Sequence, residues 1–185
     1  MKTVPDIDDF SETYGLGKPQ VVWTSLIADL ETPVSAMLKL APDRPYSFLL
    51  ESVEGGAVRG RYSIIGLDPD IIWRVVDDRV EINASATTDL DSFEPCDEAP
   101  LEGLRSLLAR SRIDLAPELP PMASGVFGYL DYDMVRQMED LPNANPDVFG
   151  LPQSIFIRPT IMAVFDAVKD EIIVLTPVWP NSDVT

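Results

Sequence analysis

The chain has 185 residues, 45% of them hydrophobic, enough to bury a core as one domain or as one lobe of something larger. Its 14 Lys and Arg stand against 31 Asp and Glu, a formal net charge of −17, which repels a polyanion over most of the surface and argues against nucleic acid as a partner. No apolar run reaches the roughly 20 residues that a bilayer needs, and "MKTVPDIDDF" turns acidic where a secretory signal turns apolar, so the expectation is a cytoplasmic protein with no membrane partner.

The predicted elements alternate between period-2 and period-3.6 patterns. After an acidic, helical lead ending at "YGLGKP", the run "QVVWTSLIADL" is rich in β-branched and aromatic residues and predicts a strand. A helix follows: Thr32 suits its cap, Pro33 its first position, and Val34, Met37 and Leu38 fall at i, i+3 and i+4 as one apolar stripe. "PDRP" breaks it. "PYSFLLESVEGGAVRGRYSIIGLDP" then sets two apolar, β-prone runs around Gly55-Gly56, and "DIIWRVV" and "RVEINAS" flank Asp77-Asp78 as a second hairpin.

The stretch "TTDLDSFEPCDEAP" predicts a surface loop. In "LEGLRSLLARSR" Leu101, Leu104, Leu107 and Leu108 share one helical face, with Arg residues toward the C-terminal end of the dipole. "SGVFGYL" predicts a strand with little room beside its glycines, "DYDMVRQMED" a short helix starting near Asp131 or Asp133, and "LPNANPDVFGLP" a loop. Two last strands, "SIFIRPTIMAVFDAV" and "EIIVLTPVW", flank a turn at Lys169-Asp170. The fold expected is α+β, a mainly antiparallel sheet with a few helices packed on one side. The chain ends in "PVWPNSDVT", a few residues after an apolar strand and with no closing helix, and reads as cut, with residues 1–185 one domain of something longer.

The chemistry available is narrow. A single cysteine, Cys96, excludes an internal disulfide and a cysteine-built zinc site. Histidine is absent, so proton transfer would fall to carboxylates, Lys or Tyr, and no metal motif is present.

Charges cluster at the first hairpin. With the turn centred near Gly56, paired residue numbers sum to about 112, so Glu51 faces Arg61 and Ser52 faces Gly60. The plain account is a cross-strand ion pair worth about 0.2–1 kcal/mol and a small residue against a glycine. The sharper account starts from alternation: Phe48, Leu50 and Ser52 share one face, Leu49, Glu51 and Val53 the other. A ligand that meets both Glu51 and Ser52 must therefore lie across the strand end. A free amino acid suits such a place, because its ammonium wants a carboxylate and its carboxylate a hydroxyl, an N–H or a cation; Glu51, Ser52 and Arg59 offer all of these.

That same block resembles the N-terminal signature of anthranilate synthase component I, and "GVFGYLDYDMVRQMEDLP" resembles a second block of the same region. "ETPVSAMLKL" and "SIFIRPTIMAVFD" fall in the family's order, so the resemblance covers nearly the whole chain. It implies a full-length lyase of tryptophan biosynthesis that converts chorismate to anthranilate and pyruvate, with ammonia from a glutamine amidotransferase partner and Mg²⁺ holding the substrate's carboxylate. The catalytic and metal positions belong to a C-terminal chorismate-binding domain; the region in hand is expected to carry no catalytic residue, metal or cofactor and to be inactive alone. What it implies for this lobe is allosteric feedback inhibition, with tryptophan bound at the "LLES" strand. Leu50, Glu51 and Ser52 match that motif, and Arg59 falls where some members have a lysine facing the effector. One departure is "GYLDYD" in place of the commoner "GYxGYD", which puts Asp131 where a glycine is usual.

Two other functions fit the same residues. Aminodeoxychorismate synthase component I shares the fold and a similar strand, with a different product. A purely structural lobe would leave the hairpin as scaffold with no ligand. In either case the sheet surface that meets the missing domain should be apolar when exposed and prone to self-association, in the simplest case as a homodimer.

Overall fold

The computed structural model describes residues 2–28, 30–52, 60–142 and 147–180. It is a mainly antiparallel sheet with a few helices, and the chain divides into two compact units. One comprises Met1–Asp68, Ile113–Ser124 and Pro159–Thr185, the other Pro69–Arg112 and Gly125–Arg158.

In the first unit, helix α1 (Ile7–Gly15) starts on Asp6, whose carboxylate accepts from the N–H groups of Asp8 and Asp9. Strand β1 (Gln20–Ile27) pairs along its whole length with β8 (Glu171–Val178), and β8 pairs with the second half of β7 (Ser154–Asp166) from Met162↔Leu175 to Asp166↔Glu171. Strand β2 (Phe48–Glu51) pairs with the start of β3 (Tyr62–Val76), from Phe48↔Gly66 to Glu51↔Ser63. Ile65, Leu67, Ala163, Phe165 and Ile172 form the core, and Leu49, Ala36 and Met37 pack against it.

Helix α2 (Pro33–Leu40) begins as its sequence dictates. Thr32 Oγ1 accepts from the Ser35 N–H at 3.1 Å, and Ser35 Oγ accepts from the Thr32 N–H at 2.9 Å, a reciprocal cap with Pro33 in the first turn. Its buried face differs from the expected stripe. Met37 does turn inward, but with Ala36 and Ala41, while Val34 and Leu38 remain 48% and 70% exposed.

In the second unit, the remainder of β3 pairs with β4 (Arg79–Asn83) around Asp77 and Asp78, both with left-handed φ (50° and 59°), the geometry of a two-residue type I′ hairpin that aspartate tolerates. The "FEPCDEAP" stretch, expected as loop, contains strand β5 (Glu94–Cys96), which pairs with β4. Strand order is β1-β8-β7-β3-β4-β5, with β2 on β3 and β6 (Phe127–Leu130) on β7, so β5 is terminal and Pro95 can occupy it without breaking a second ladder. Helix α3 (Pro100–Arg110) buries Leu107 against Trp73, Val75 and Val80, with Leu101 and Leu104 beside them; Leu108 stays half exposed.

Gly128 in β6 shows why the "GVFGYL" strand carries glycine: a Cβ there would lie 1.8 Å from the Ile155 carbonyl oxygen. Asp131, at the departure from the family block, has φ −71° and ψ 172°, an unstrained extended conformation, and caps a 3-10 helix (Tyr132–Gln137) by accepting from the Met134 N–H at 2.9 Å. Arg158 on β7 and Asp70 on β3, each about 95% buried, form a two-pronged ion pair at 2.8 and 2.6 Å.

Candidate functional site

Antiparallel pairing brings several strand ends of the first unit to one edge, and a cavity of about 370 Å³ opens there. Glu51 and Ser52 come from the end of β2, Gly60 and Ser63 from the approach to β3 and its start, and Ala28 follows the end of β1. Phe165 and Asp166 end β7, and Asp170 and Glu171 open β8. The start of α2, Glu31 through Pro33, completes the wall.

The sequence-derived residues divide in an instructive way. Glu51 and Ser52 both line the cavity, because the strand stops at Glu51 and the chain leaves the pleat before Ser52. Leu50, on the opposite face of β2, is half exposed and does not line it. Arg59 lies outside the described residues, as does the Gly55-Gly56 turn. Ser52 and Gly60 are as close as expected: a Cβ built on Gly60 would lie 1.8 Å from Ser52 Oγ.

The expected Glu51–Arg61 pair does not form. Paired residue numbers sum to 114, as Glu51↔Ser63 shows, so the register is two residues from the one expected. A shift of two keeps each side chain on its face and changes only its partner. Arg61 instead reaches Asp166, 105 residues on. Its Nε and Nη2 donate to the carboxylate at 3.0 and 2.8 Å, and its carbonyl oxygen accepts from the Ala167 N–H at 2.9 Å.

Charge in the cavity is one-sided. Five of the lining residues are carboxylates, and no Lys or Arg lines it among the described residues. Two of the five are neutralised. Hydrogen bonds from Arg61 hold Asp166 below the usual carboxylate range, with the N–H groups of Val168 and Lys169 adding to the effect. Lys39 and Ser35 donate to Glu31 and hold its carboxyl low in the same way. Glu51, Asp170 and Glu171 have no ion-pair partner among the described residues. A ligand cation such as an ammonium would be attracted here, with Ser52 and Ser63 as neutral hydrogen-bonding groups and Phe165, Ala28 and Pro33 as apolar surface.

Sequence reasoning missed Ser63, Asp166, Asp170 and Glu171. Ser63 could be found only with the turn length known; the other three arrive through pairings of high sequence separation, for which a single sequence holds no signal.

The second resembling block does not contribute. Tyr129 donates its hydroxyl to the Pro152 carbonyl, Arg136 pairs with Asp133 at 2.8 Å, and Tyr132 is 85% exposed. The Tyr129 contact ties strand β6 to Pro152, shortly before β7, and the Arg136–Asp133 pair lies within the short helix.

Comparison with known proteins gives a consistent result. Anthranilate synthase component 1 of Cereibacter sphaeroides is 49% identical over 95% of this chain and 35% of its own length. That of Thermus thermophilus is 40% identical over 83% of this chain and 31% of its own. The crystal structure of anthranilate synthase component I from Streptococcus pneumoniae TIGR4 shares the fold, with a TM-score of 0.55 at 22% identity over 84% of this chain and 32% of that one. No family model matches. The chain spans about a third of the length of the curated relatives it matches.

Proposed function

This chain belongs to the anthranilate synthase component I family, whose N-terminal region it matches, and from that premise we propose that it is the regulatory region of a lyase making anthranilate from chorismate, with tryptophan bound in the cavity at the end of β2. The observation that carries the reading is the convergence of Glu51 and Ser52 on one concavity, although alternation along a strand would send them to opposite faces. The ligand ammonium meets Glu51, the Ser52 hydroxyl orients the zwitterion, and the indole lies against Phe165, Ala28 and Pro33. Arg59 is assigned to the ligand carboxylate on charge alone. Leu50 belongs to the motif without lining the cavity, and its share in the site would be limited to backbone contacts.

Binding by itself does not inhibit. Tryptophan must bind more tightly to a less active arrangement of the whole enzyme than to the active one. The active arrangement includes a chorismate-binding domain, a glutamine amidotransferase subunit and Mg²⁺, all outside this region. Among the described residues no group of three His, Cys, Asp or Glu side chains is placed to hold a metal ion. The anthranilate synthase name of both relatives favours this product over aminodeoxychorismate. A cytoplasmic location belongs with such a biosynthetic enzyme; no described helix is long and apolar enough to cross a membrane.

The test uses the full-length enzyme. Ser52→Phe, which fills the cavity mouth beside Gly60, should abolish inhibition by tryptophan while chorismate is still turned over. Inhibition that persists unchanged in this variant rejects the site, and a wild-type enzyme indifferent to tryptophan favours the scaffold reading.

A further inference from the structure

Two walls of the cavity come from the β2–β3 and β7–β8 strand pairs, and the Arg61–Asp166 ion pair is the side-chain clamp between them. Asp166, 2% exposed at the end of β7, accepts from Arg61 Nε and Nη2 and also from the Val168 and Lys169 N–H groups at 3.0 and 3.3 Å. One carboxylate thus holds the β7–β8 turn and the residue leading into β3 together. The Ala167 N–H to Arg61 carbonyl bond fixes the Arg61 backbone at the same place. Gly60 is its neighbour, and there is no room between Gly60 and Ser52 for a side chain: a Cβ would sit 1.8 Å from Ser52 Oγ and 2.1 Å from its Cβ. Placement therefore passes from Asp166 to Arg61, to Gly60, to Ser52.

We infer that Arg61, Asp166 and Gly60 are positioning residues for the effector response: the Arg61–Asp166 clamp sets the distance between the Ser52 wall and the β7–β8 wall, and the missing side chain at Gly60 leaves Ser52 its place. The inference rests on the reading of this cavity as the tryptophan site. Arg61 does not line the cavity, so it acts only through what it holds. A fork of two parallel N–H donors on a carboxylate fixes orientation as well as distance, which a lysine on the same carboxylate does not.

The experiment measures, in the full-length enzyme, the tryptophan concentration that halves each variant's own uninhibited rate. Asp166→Asn, Arg61→Lys and Gly60→Ala are compared with Ser52→Phe and with Val21→Ala, a buried substitution on β1 that lowers stability without touching the clamp. The expected result is a rise of about tenfold or more for the three clamp variants and none for Val21→Ala, with thermal midpoints recorded so that variants of equal stability are compared. Unchanged sensitivity in the clamp variants, with loss in Ser52→Phe, overturns the positioning role and leaves the site standing. An equal rise in Val21→Ala also overturns it, by making the effect one of stability. A wild-type enzyme insensitive to tryptophan removes both the site and the clamp's role in it.

Discussion

Glu51 and Ser63 face each other at the last paired position of the β2–β3 ladder, and both side chains open on the same cavity. Because Arg61 lies two residues beyond that pair and is engaged by Asp166, the Glu51 carboxylate has no cation of its own among the described residues. In the proposed function, this carboxylate beside the hydroxyl groups is where a ligand ammonium would bind.

The Arg61–Asp166 pair makes stability depend on pH in one direction. The folded protein holds Asp166 below its unfolded value of about 3.9, so its contribution is fully present above that value and is lost as pH falls through the lower folded one. Wild type should therefore lose stability from about pH 4 downward more steeply than Asp166→Asn, and exceed it most at neutral pH. Urea midpoints taken from pH 2 to 7 check this; parallel curves for the two proteins would contradict it.

Arg158 and Asp70 present a different case, because both are about 95% buried. Asp70→Ala removes the counter-charge from a buried guanidinium and should cost about 3–5 kcal/mol, whereas replacing both residues with apolar ones of similar volume should cost much less. Chemical denaturation of the single and double variants separates the two results. Equal losses would mean that the pair itself, not the stranded charge, supplies the stability.

Gly128→Ala tests the close approach of β6 to β7. A methyl group 1.8 Å from the Ile155 carbonyl can be relieved only by moving backbone, so the loss should reach about 1–3 kcal/mol or more. The same substitution at Gly15, where a Cβ meets nothing within 4 Å, should be close to neutral or stabilising. The contrast in thermal midpoint between these variants is the readout.

Much of this architecture is local chemistry and was legible in the sequence. Thr32 and Pro33 announce α2, Asp77-Asp78 announces a hairpin, and the glycines of "GVFGYL" announce a crowded strand. What escaped depends on distance along the chain. Composition does not reveal the register of the first hairpin, in which Glu51 faces Ser63 and not Arg61. The true partner of Arg61 comes through the sheet from residue 166. The inward side of α2 carries Ala36 and Met37, with Ala41 at its end, and not Val34 and Leu38 of the expected stripe. Strand β5 was hidden by Pro95, which only a terminal strand accommodates. For the cavity, Glu51 and Ser52 were legible as a pair because their chemistry is complementary to an amino acid. Its far wall was not.

Calorimetric titration of tryptophan into the full-length enzyme, wild type beside Glu51→Gln, addresses the central claim most directly. Removing one charge while preserving shape should weaken binding by roughly 10- to 100-fold, the worth of a hydrogen bond to a charged group. Equal affinity of the two proteins for tryptophan would show that the end of β2 is not where the ammonium is held.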